Sequence, residues 1–366
     1  MPRSAKYLEA AAWIRERILS GQLRPGDRVE SENELSGIFG LSRQTARHAL
    51  ETLVQQGMLE RVRGSGTYVR EGAGTHRKKE RLSDTITIVS TYVDSYIFPR
   101  ILQSMIKILE EAGFGVKVML TNNQLETERR LLMRHLEEDS RDPLIVEPVM
   151  SGLPSPNVQY YRQIWEKGIP VLFFHSYYPE LSIPHISMDD VKAGRAAAEY
   201  LISQGHREIG GIFKRDDGQG PRRYKGFLEA VCQAGIPIRE ERICWFDTQE
   251  MKDGLEKNPL ILKRLSGCTA CVCYNDQVGH ILTGMCRQAG IQVPEDLSIV
   301  SFDNSELAKL NSVPLTSIAH PMERLGEKTA KAMLRMIQDS REDVTYEFVP
   351  EMEIRSSVFP FSNSNP

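Results

Sequence analysis

Two guanidinium groups and one amide share a face of a short predicted helix. Ser42 is a suitable N-cap for a helix that begins at Arg43. At about 100° per residue, Arg43, Gln44 and Arg47 fall on one side of this helix. Guanidinium and amide groups fit guanine edges, adenine edges and phosphates. This face therefore has the chemistry to bind double-stranded DNA, although an ordinary solvated helix explains the segment by itself equally well.

The other face of this helix is small and apolar, with Ala46, Ala49, Leu50 and Leu53. Such a face can lie against neighbouring helices, and the preceding segments predict two of them. One helix is predicted over residues 7–20, and the capping box at residues 31–34 starts a second helix that ends at Gly40. A short helix, a tight turn and a helix with polar residues at its start are typical of a helix-turn-helix.

A glycine-rich hairpin is predicted directly after these helices. Residues 58–63 and 67–69 alternate between apolar and polar side chains around Gly64-Ser65-Gly66. This pattern also fits a plain hairpin turn. Beside a helix-turn-helix, we favour a wing whose small tip enters a DNA groove, with Arg61 and Arg63 on phosphates.

A second set of chemically active side chains follows the ends of predicted strands in the rest of the chain. They are Tyr92, Asp94, Tyr96, Glu147, His175, Asp189, Lys214, Asp216, Asp217, Arg223, Asn275, Asp276, Asp303, Asn304 and His320. Carboxylates, amides and an arginine can pair with each hydroxyl of a polyhydroxylated ligand, and aromatic rings can stack on its apolar faces. Each residue alone is more typical of loop capping, but the joint pattern indicates a cleft for a small polar ligand.

Alternating strands and helices position this second set. The predicted strands cover residues 86–89, 116–120, 144–146, 171–174, 185–187, 209–213, 270–274 and 297–301, and the predicted helices cover residues 96–111, 126–138, 158–167, 191–204, 222–234 and 277–289. Repeated strand–helix units predict parallel sheets covered on both faces. Two such series, joined near 187–191 and recrossing near 302–304 and 319–322, predict an α/β body of two lobes with doubly wound parallel sheets. Ligands bind outside the carboxyl ends of such strands, and closure of the lobes would convert binding into a hinge movement.

The charge distribution separates the first 81 residues from the remainder. Residues 1–81 carry 15 Lys and Arg against 10 Asp and Glu, a net charge of +5, whereas the other residues carry 31 against 39, a net charge of −8. A basic head on an acidic body predicts a polyanionic partner for the head only. The sequence has no apolar run of about 18 residues and no signal-peptide pattern at its start. We therefore expect a cytoplasmic protein with no membrane partner.

These patterns divide the chain into three parts. Residues 1–70 are predicted to form a winged helix-turn-helix domain, and residues 85–360 the two-lobed body. Residues 71–84 between them are predicted to be a linker, because the segment from Glu71 has glycine and charge but no apolar period.

The six cysteines favour core packing over metal chemistry. Cys268, Cys271 and Cys273 have a spacing that zinc sites also use, but no second Cys-x-x-Cys or His pair follows. Cys271 and Cys273 lie in a predicted buried strand, where cysteine behaves as a small hydrophobe. We expect no bound metal and no cofactor, with a metal or redox role as the alternative interpretation.

Several fixed points in the first 70 residues carry a family resemblance. They are Pro25-Gly26-Asp27, Ser31-Glu32-x-Glu34-Leu35, Ser42-Arg43-x-Thr45-x-Arg47-x-Ala49-Leu50 and Gly64-x-Gly66-Thr67-Tyr68-Val69. These segments resemble the GntR family of bacterial winged-helix DNA-binding domains. The resemblance implies that Asn33, Arg43, Gln44, Thr45, Arg47, Arg63 and Gly64 bind DNA, and Lys6 completes the predicted DNA-binding set. Asn33 departs from the family pattern, in which arginine is frequent at this position.

The body carries a second resemblance, in Leu201-x-x-x-Gly205-His206, Arg223-x-x-Gly226-Phe227, Tyr274-Asn275-Asp276, Ser298-Ile299-Val300-x-Phe302-Asp303-Asn304 and Leu315-Thr316-Ser317-Ile318. These segments resemble the LacI/GalR effector domain and the periplasmic sugar-binding proteins. A GntR-type head on such a body is similar to the arabinose-responsive repressors of Gram-positive bacteria. The two resemblances imply a sugar effector, L-arabinose in the arabinose-responsive group. The family's sugar contacts match Arg223, Asn275 and Asp303, and the position of His320 lies nearby. Together with strand-end residues, the predicted effector-binding set is Tyr92, Tyr96, Glu147, His175, Lys214, Asp216, Arg223, Asn275, Asp303 and His320.

The predicted helix over residues 96–111 has an apolar band that is wider than a one-sided helix needs. Part of the band can be deep core, and we favour a homodimer interface for the remainder. A homodimer would present two recognition helices to a two-fold operator.

The predicted function is a DNA-binding repressor that a pentose releases from its operator. The alternative is a GntR-type regulator with an aminotransferase-like or non-sugar effector domain. No lysine lies in a setting typical of a Schiff base, and no nucleophile elbow, Walker loop or dinucleotide fingerprint occurs. We therefore predict no enzymatic activity and no catalytic residues. A free sugar-transport binding protein is disfavoured by the basic head.

Overall fold

The structure is a computed structural model that describes residues 3–19, 22–55, 57–62, 65–70, 82–339 and 342–361. Contacts divide the chain into a head, Met1–Arg81, and a body, Leu82–Pro366. The predicted linker at residues 71–84 falls almost entirely on residues 71–81, which lie outside the described residues.

The described part of the head contains helices α1 (Arg3–Leu19), α2 (Glu32–Phe39) and α3 (Arg43–Gln55), and strands β1 (Leu59–Val62) and β2 (Gly66–Val69). The strands pair antiparallel to form the predicted hairpin. The capping box is confirmed, because Ser31 Oγ accepts the amide of Glu34 and the Glu34 carboxylate accepts the amide of Ser31. The predicted apolar face of α3 is also confirmed and is buried against α1 and α2. The helix-turn-helix therefore has its own core.

The body alternates helices and strands along most of its length. Its helices are α4 (Phe98–Glu111), α5 (Leu125–Glu137), α6 (Val158–Glu166), α7 (Asp190–Ser203), α8 (Gln219–Gln233), α9 (Thr248–Gly254), α10 (Leu260–Leu265), α11 (Asp276–Gln288), α12 (Glu306–Leu310) and α13 (Met322–Gln338). Its strands are β3 (Thr85–Ser90), β4 (Gly115–Leu120), β5 (Leu144–Val146), β6 (Val171–His175), β7 (His185–Met188), β8 (Ile209–Lys214), β9 (Ile243–Phe246), β10 (Ala270–Cys273), β11 (Ser298–Asp303), β12 (Thr316–Ala319), β13 (Tyr346–Phe348) and β14 (Glu351–Glu353). None of the described helices is long and apolar enough to cross a lipid bilayer.

Two six-stranded sheets form the two lobes of the body. Lobe 1 has the strand order β13-β7-β6-β5-β3-β4, with every pair parallel. Lobe 2 has the order β14-β12-β11-β10-β8-β9, and only β14 is antiparallel to its neighbour. In each lobe the strand order reverses once, beside β3 in lobe 1 and beside β8 in lobe 2. The predicted fold class is confirmed, and the carboxyl ends of the strands at such a reversal form a ligand crevice.

Three segments of the described chain connect the lobes, at residues 188–190, 319–322 and 348–351. The first two connections are predicted from the sequence. The predicted recrossing near residues 302–304 is wrong, because β11 is followed by α12 and β12 in the same lobe. The third connection joins two three-residue strands, which are too short to give a periodic signal.

Helix α13 has no counterpart among the predicted elements, and it packs along α4. A Cβ atom at Gly326 of α13 would lie 2.2 Å from the carbonyl oxygen of Ile101 of α4, so the two backbones are in close contact. Buried side chains of α4 and α13 share one core cluster with the lobe 1 sheet. This packing explains the wide apolar band of α4 within one chain, and the homodimer stays a prediction.

Five of the six cysteines lie in the core of lobe 2, and Cys232 of α8 is exposed. Cys271 and Cys273 are fully buried in β10, as the strand pattern predicts. Burial raises the pKa of the Cys244 thiol to about 11, which keeps it protonated and unreactive. Within the described residues, no group of three or more His, Cys, Asp and Glu side chains is placed to hold a metal ion.

Candidate functional site

A cavity of about 250 Å³ lies between the lobes, at the carboxyl ends of strands from both sheets. Its walls include the predicted effector-binding residues Tyr92, Tyr96, Glu147, His175, Lys214, Arg223, Asn275 and Asp303. Asp216 and His320 are not part of the wall and contact residues that are. The predicted set is thus brought together from both lobes and from widely separated parts of the sequence.

Glu147 brings a carboxylate from lobe 1 to the cavity wall. Its Oε2 atom accepts hydrogen bonds from the Thr91 amide at 2.7 Å, the Thr91 hydroxyl at 2.6 Å and the Ser90 hydroxyl at 3.1 Å. Because all of these bonds go to one oxygen, Oε1 can accept from a ligand hydroxyl. Burial raises the pKa of Glu147 to about 7, although the bonds from Thr91 oppose this shift.

Lys214 supplies the corresponding cation at the end of β8 in lobe 2. Its Nζ atom lies 2.5 Å from Asp217 Oδ2 and 3.6 Å from Asp216 Oδ1. Burial acts against the ammonium charge, but the two carboxylates outweigh it and raise the pKa of Lys214. Tyr274 Oη also donates to Asp217 Oδ2, at 3.1 Å. Asp217, which belongs to the strand-end set, therefore joins the wall as an ion-pair partner.

Arg223 holds the opposite side of the lobe 2 wall, and only 2% of its surface is exposed. Its Nε atom donates to Asp190 Oδ1 at 2.8 Å, and its Nη1 atom donates to the Tyr274 carbonyl at 2.5 Å. Its Nη2 atom lies 3.5 Å from Asp303 Oδ1. Burial opposes the charge of Arg223, but Asp190 and Asp303 raise its pKa. Asp303 Oδ1 is buried beside Arg223 and accepts no hydrogen bond from the described residues.

Tyr96 crosses from lobe 1 to lobe 2. Its hydroxyl donates to Asp303 Oδ2 at 2.8 Å and accepts the amide of Asp276 at 3.3 Å. Burial, together with the charges of Asp303 and Asp276, raises the pKa of Tyr96, so its hydroxyl remains a donor. The φ angle of Tyr96 is 58°, which excludes it from the predicted helix over residues 96–111, and α4 begins at Phe98 instead.

His175 and His320 form a second contact between the lobes. His175 Nδ1 and His320 Nε2 are 3.1 Å apart. Burial lowers the pKa of each imidazole to about 3, helped by His320 at His175 and by Arg223 at His320. Both rings are therefore neutral, and one donates a hydrogen bond to the other. His175 lines the cavity, whereas His320 lies behind His175 and outside the cavity wall.

Asn275 has a structural task in addition to its place in the wall. Its Oδ1 atom accepts the amide of Val278 at 3.1 Å and caps α11. The carboxamide nitrogen remains as the donor for a ligand. Asp276, the next residue, accepts from Ser301, Ser305 and Ser317 and is enclosed within lobe 2.

Other residues of the cavity wall are absent from the sequence-based set. They are Thr91, Ser95, Ile97, Phe98, Phe246, Thr248, Met251, Lys252, Tyr274 and Gln277. Thr248, Met251 and Lys252 belong to α9, which follows β9. Strand β9 is not predicted, so the residues that follow it could not be recognised as strand-end residues. Recognition of the apolar run Ile243–Phe246 as an edge strand would have identified them.

The wall combines acceptors, donors and aromatic rings around a space of monosaccharide size. Glu147 and Asp303 present acceptor atoms, while Lys214, Arg223 and Asn275 present donors. Each hydroxyl of a polyhydroxylated ligand can donate to one group and accept from another. The cavity is therefore suited to a small neutral polyol or sugar.

The head presents a second candidate site on the exposed side of α3. The side chains of Arg43 and Arg47 are 72% and 57% exposed, and Gln44 is exposed beside them. Thr45 is half-buried, and its amide donates to Ser42 Oγ at 3.2 Å, so Ser42 caps the helix as predicted. Polar groups at the start of α3 are thus exposed on the side that would meet the edges of base pairs.

Two glutamates form ion pairs with the arginines of this face. Glu32 accepts Arg43 at 3.2 Å and lies 3.7 Å from Arg61 of β1. Glu51 accepts Arg47 at 2.9 Å and lies 3.6 Å from Arg61. Exposed ion pairs contribute little stability, so phosphates can replace these carboxylates at small cost. The pairs hold three guanidinium groups on one side of the head.

The other predicted DNA-binding residues are less informative. Asn33 is exposed near the start of α2. Lys6 lies in α1, but its side chain lies outside the described residues, as do Arg63 and Gly64 at the tip of the hairpin. Their roles stay predictions.

Two family models match the chain. Residues 6–69 match the model for "Bacterial regulatory proteins, gntR family", and residues 198–358 match the "Periplasmic binding protein-like domain". These matches confirm the resemblances of the head and of the body. The second match leaves the aminotransferase-like alternative without support.

Two relatives are similar over nearly the whole chain. The arabinose metabolism transcriptional repressor of Halalkalibacterium halodurans is 36% identical over 366 residues, which cover 96% of this chain and 96% of the relative. The protein of the same name from Geobacillus stearothermophilus is 37% identical over 364 residues, which cover 96% of this chain and 97% of the relative.

A solved structure shares the fold of the body. The transcription regulator CcpA of Lactococcus lactis superimposes with a TM-score of 0.65 at 21% sequence identity. The match covers 76% of this chain and 100% of the CcpA chain. This likeness concerns the fold alone.

Glu147 predicts a specific pH dependence of stability. Its pKa of about 7 in the folded protein exceeds the usual value of 4.5, so the folded state binds the proton more tightly than the unfolded state does. The free energy of unfolding should therefore fall by about 3 kcal/mol as pH rises from about 4.5 to about 7. Glu147→Gln should lose this component in urea unfolding at several pH values. The exposed Glu126→Gln is the control, and a constant difference between wild type and Glu147→Gln at every pH would contradict the prediction.

Proposed function

This chain belongs to the family of arabinose metabolism transcriptional repressors, and we propose that it is a DNA-binding repressor controlled by L-arabinose. In this proposal, residues 1–70 bind the operator, residues 71–84 link the domains, and residues 85–360 bind the sugar and form the dimer. Operator DNA lies in the cytoplasm of a bacterium, so the protein would act there. The family is one of repressors and not of enzymes.

The cavity between the lobes is the observation that carries the effector part of the proposal. Its volume of about 250 Å³ equals that of roughly eight liquid water molecules. The cavity therefore has room for about one monosaccharide. Its wall offers carboxylates from Glu147 and Asp303, with Lys214 and Arg223 as cationic donors. L-Arabinose enters the proposal because the relatives that match the full chain carry arabinose metabolism in their names.

The head supports the DNA part of the proposal. Arg43, Gln44 and Arg47 would contact base edges or phosphates in the major groove, and Arg61 would reach a phosphate from the wing. Contact with phosphates would replace the pairs that Glu32 and Glu51 make with these arginines. Sugar binding between the lobes would release the protein from its operator through the linker and the dimer.

We also propose that the chain forms a homodimer through one side of the body. Val118 and Leu120 on the edge strand β4 are 40% and 39% exposed, and Leu310 at the end of α12 is 80% exposed. Helices α4 and α11 begin beside each other, because the Tyr96 hydroxyl contacts the Asp276 amide, and α12 packs against α11. Both lobes therefore offer apolar side chains near these helices, where a second copy can cover them.

Arg47→Ala should weaken operator binding and reduce its salt dependence. Loss of one phosphate contact should lower the slope of log K against log salt by about 1. The measurement is operator binding by fluorescence anisotropy at several salt concentrations. Arg129→Ala, which removes an exposed arginine of the body, is the matched control. An unchanged affinity and slope for Arg47→Ala would exclude Arg47 from the DNA interface.

Asp303→Asn should retain operator binding and lose the response to sugar. Asparagine keeps the shape of Asp303 and tolerates its φ of 97°, but it removes a buried acceptor charge. In thermal-shift and calorimetric titrations, L-arabinose should stabilise the wild type more than other pentoses and hexoses do. The variant should bind L-arabinose at least about ten-fold more weakly. Normal release of the variant from the operator by L-arabinose would refute the role of Asp303.

Val118→Glu should shift the protein towards a monomer in sedimentation velocity. A buried, unpaired carboxylate at a subunit interface is strongly unfavourable. Leu260→Glu changes a leucine on α10 that is 52% exposed, beside the β9 edge of lobe 2, and should leave the sedimentation coefficient unchanged. A monomeric wild type, or a Val118→Glu protein that sediments as the wild type does, would contradict the proposed interface.

A further inference from the structure

The lobes also meet along a seam that includes Asp216 and no other member of the predicted set of effector-binding residues. The seam, as we use the term, consists of residues 121–124 and 149–152 of lobe 1 against residues 215–218 and Thr248 of lobe 2. The amide of Gly152 donates to the Asp216 carbonyl at 3.2 Å. The amide of Gly218 donates to Ser151 Oγ at 3.0 Å. Each lobe therefore donates a backbone amide to an acceptor atom of the other lobe.

Gly152 lies at a close approach of the two backbones in the seam. A Cβ atom at this position would lie 2.5 Å from the Arg215 carbonyl oxygen and 2.9 Å from the Asp217 carbonyl oxygen. Both of these atoms are backbone atoms of lobe 2, so they cannot rotate away. The φ of Gly152 lies outside the left-handed region. Glycine is therefore needed at this position for the contact between the lobes and not for the local turn.

The side chain of Asn123 forms hydrogen bonds across the same seam. Its Nδ2 atom donates to Thr248 Oγ1 at 2.7 Å and lies 3.3 Å from Asp217 Oδ1. Its Oδ1 atom accepts the amide of Met150 at 2.8 Å. Asn123 and Met150 both have left-handed backbones, with φ of 55° and 47°. Such conformations cost free energy, and the contacts with lobe 2 help to offset it.

The seam is continuous with the ligand cavity. Asp217 and Thr248 contact Asn123 on one side and line the cavity on the other. A ligand that pulls these residues into place would also bring them to Asn123 and Gly152. Because Asp217 and Thr248 belong to both the seam and the cavity wall, closure of the seam is linked to ligand binding in the cavity.

We propose that Gly152 permits full closure of the lobes and that the hydrogen bonds of the Asn123 side chain stabilise the closed state. Both act as positioning residues, because neither lines the cavity. The inference rests on the proposed function, in which the sugar acts by selecting the closed lobes. An added methyl group at residue 152 is accommodated when the lobes are apart and collides with lobe 2 when they close.

Hydrogen–deuterium exchange of the full chain without sugar tests the closure itself. In Gly152→Ala, the amides of residue 152 and Gly218 should exchange faster, because both lose their partners when the seam opens. Asn123→Ala should have the same effect without adding bulk. Gly284→Ala is the control, since a Cβ atom there meets nothing within 4 Å. Exchange at wild-type rates in both seam variants would overturn the proposal.

Calorimetric titration with L-arabinose tests the consequence for binding. If the closed population falls about ten-fold, the apparent Kd of Gly152→Ala should rise about ten-fold, with operator affinity in the absence of sugar unchanged. A wild-type Kd in this variant would overturn the role of Gly152. If L-arabinose does not bind the wild type, the proposed effector is wrong, and the exchange measurement still decides whether Gly152 permits closure.

Discussion

The buried guanidinium of Arg223 is the group on which the interior of lobe 2 depends. A buried charge is tolerated only when it is paired and hydrogen-bonded. Arg223 meets this condition through Asp190 of α7, the Tyr274 carbonyl after β10 and Asp303 of β11. Its guanidinium also lies 4.4 Å above the ring of Phe302. These contacts tie three elements of lobe 2 together and orient Asp303 towards lobe 1.

The requirement that buried charges be paired also explains why the polar side chains of the cavity wall have defined positions. The buried charged groups of its wall are held by other parts of the wall or by the chain behind it, as Lys214 is by Asp217 and Glu147 is by Thr91. Asp303 Oδ1 is held by the charge of Arg223 Nη2 at 3.5 Å and accepts no hydrogen bond from the described residues. Left-handed backbones at His175 and Asp303 show that strain accumulates at the strand ends that build the site.

The head follows a different physical rule, because its charges are exposed. Glu32 and Glu51 pair with the arginines of α3 and β1 without burying them. Such pairs contribute little to stability, so their effect is to position the guanidinium groups. The body controls its charges by burial, and the head keeps its charges available to a polyanion.

Elements whose signals are local could be predicted from the sequence. The capping box at Ser31, the apolar face of α3, the strand ends at Glu147 and Lys214, and the two-lobed α/β class all follow from spacing and periodicity. The family resemblance extended this to the effector-binding set. Tertiary structure alone decided which strand-end residues reach the cavity, because that choice depends on contacts between residues far apart in the chain. It placed His320 behind His175, added Thr248 through the unpredicted strand β9, and brought Gly152 against lobe 2.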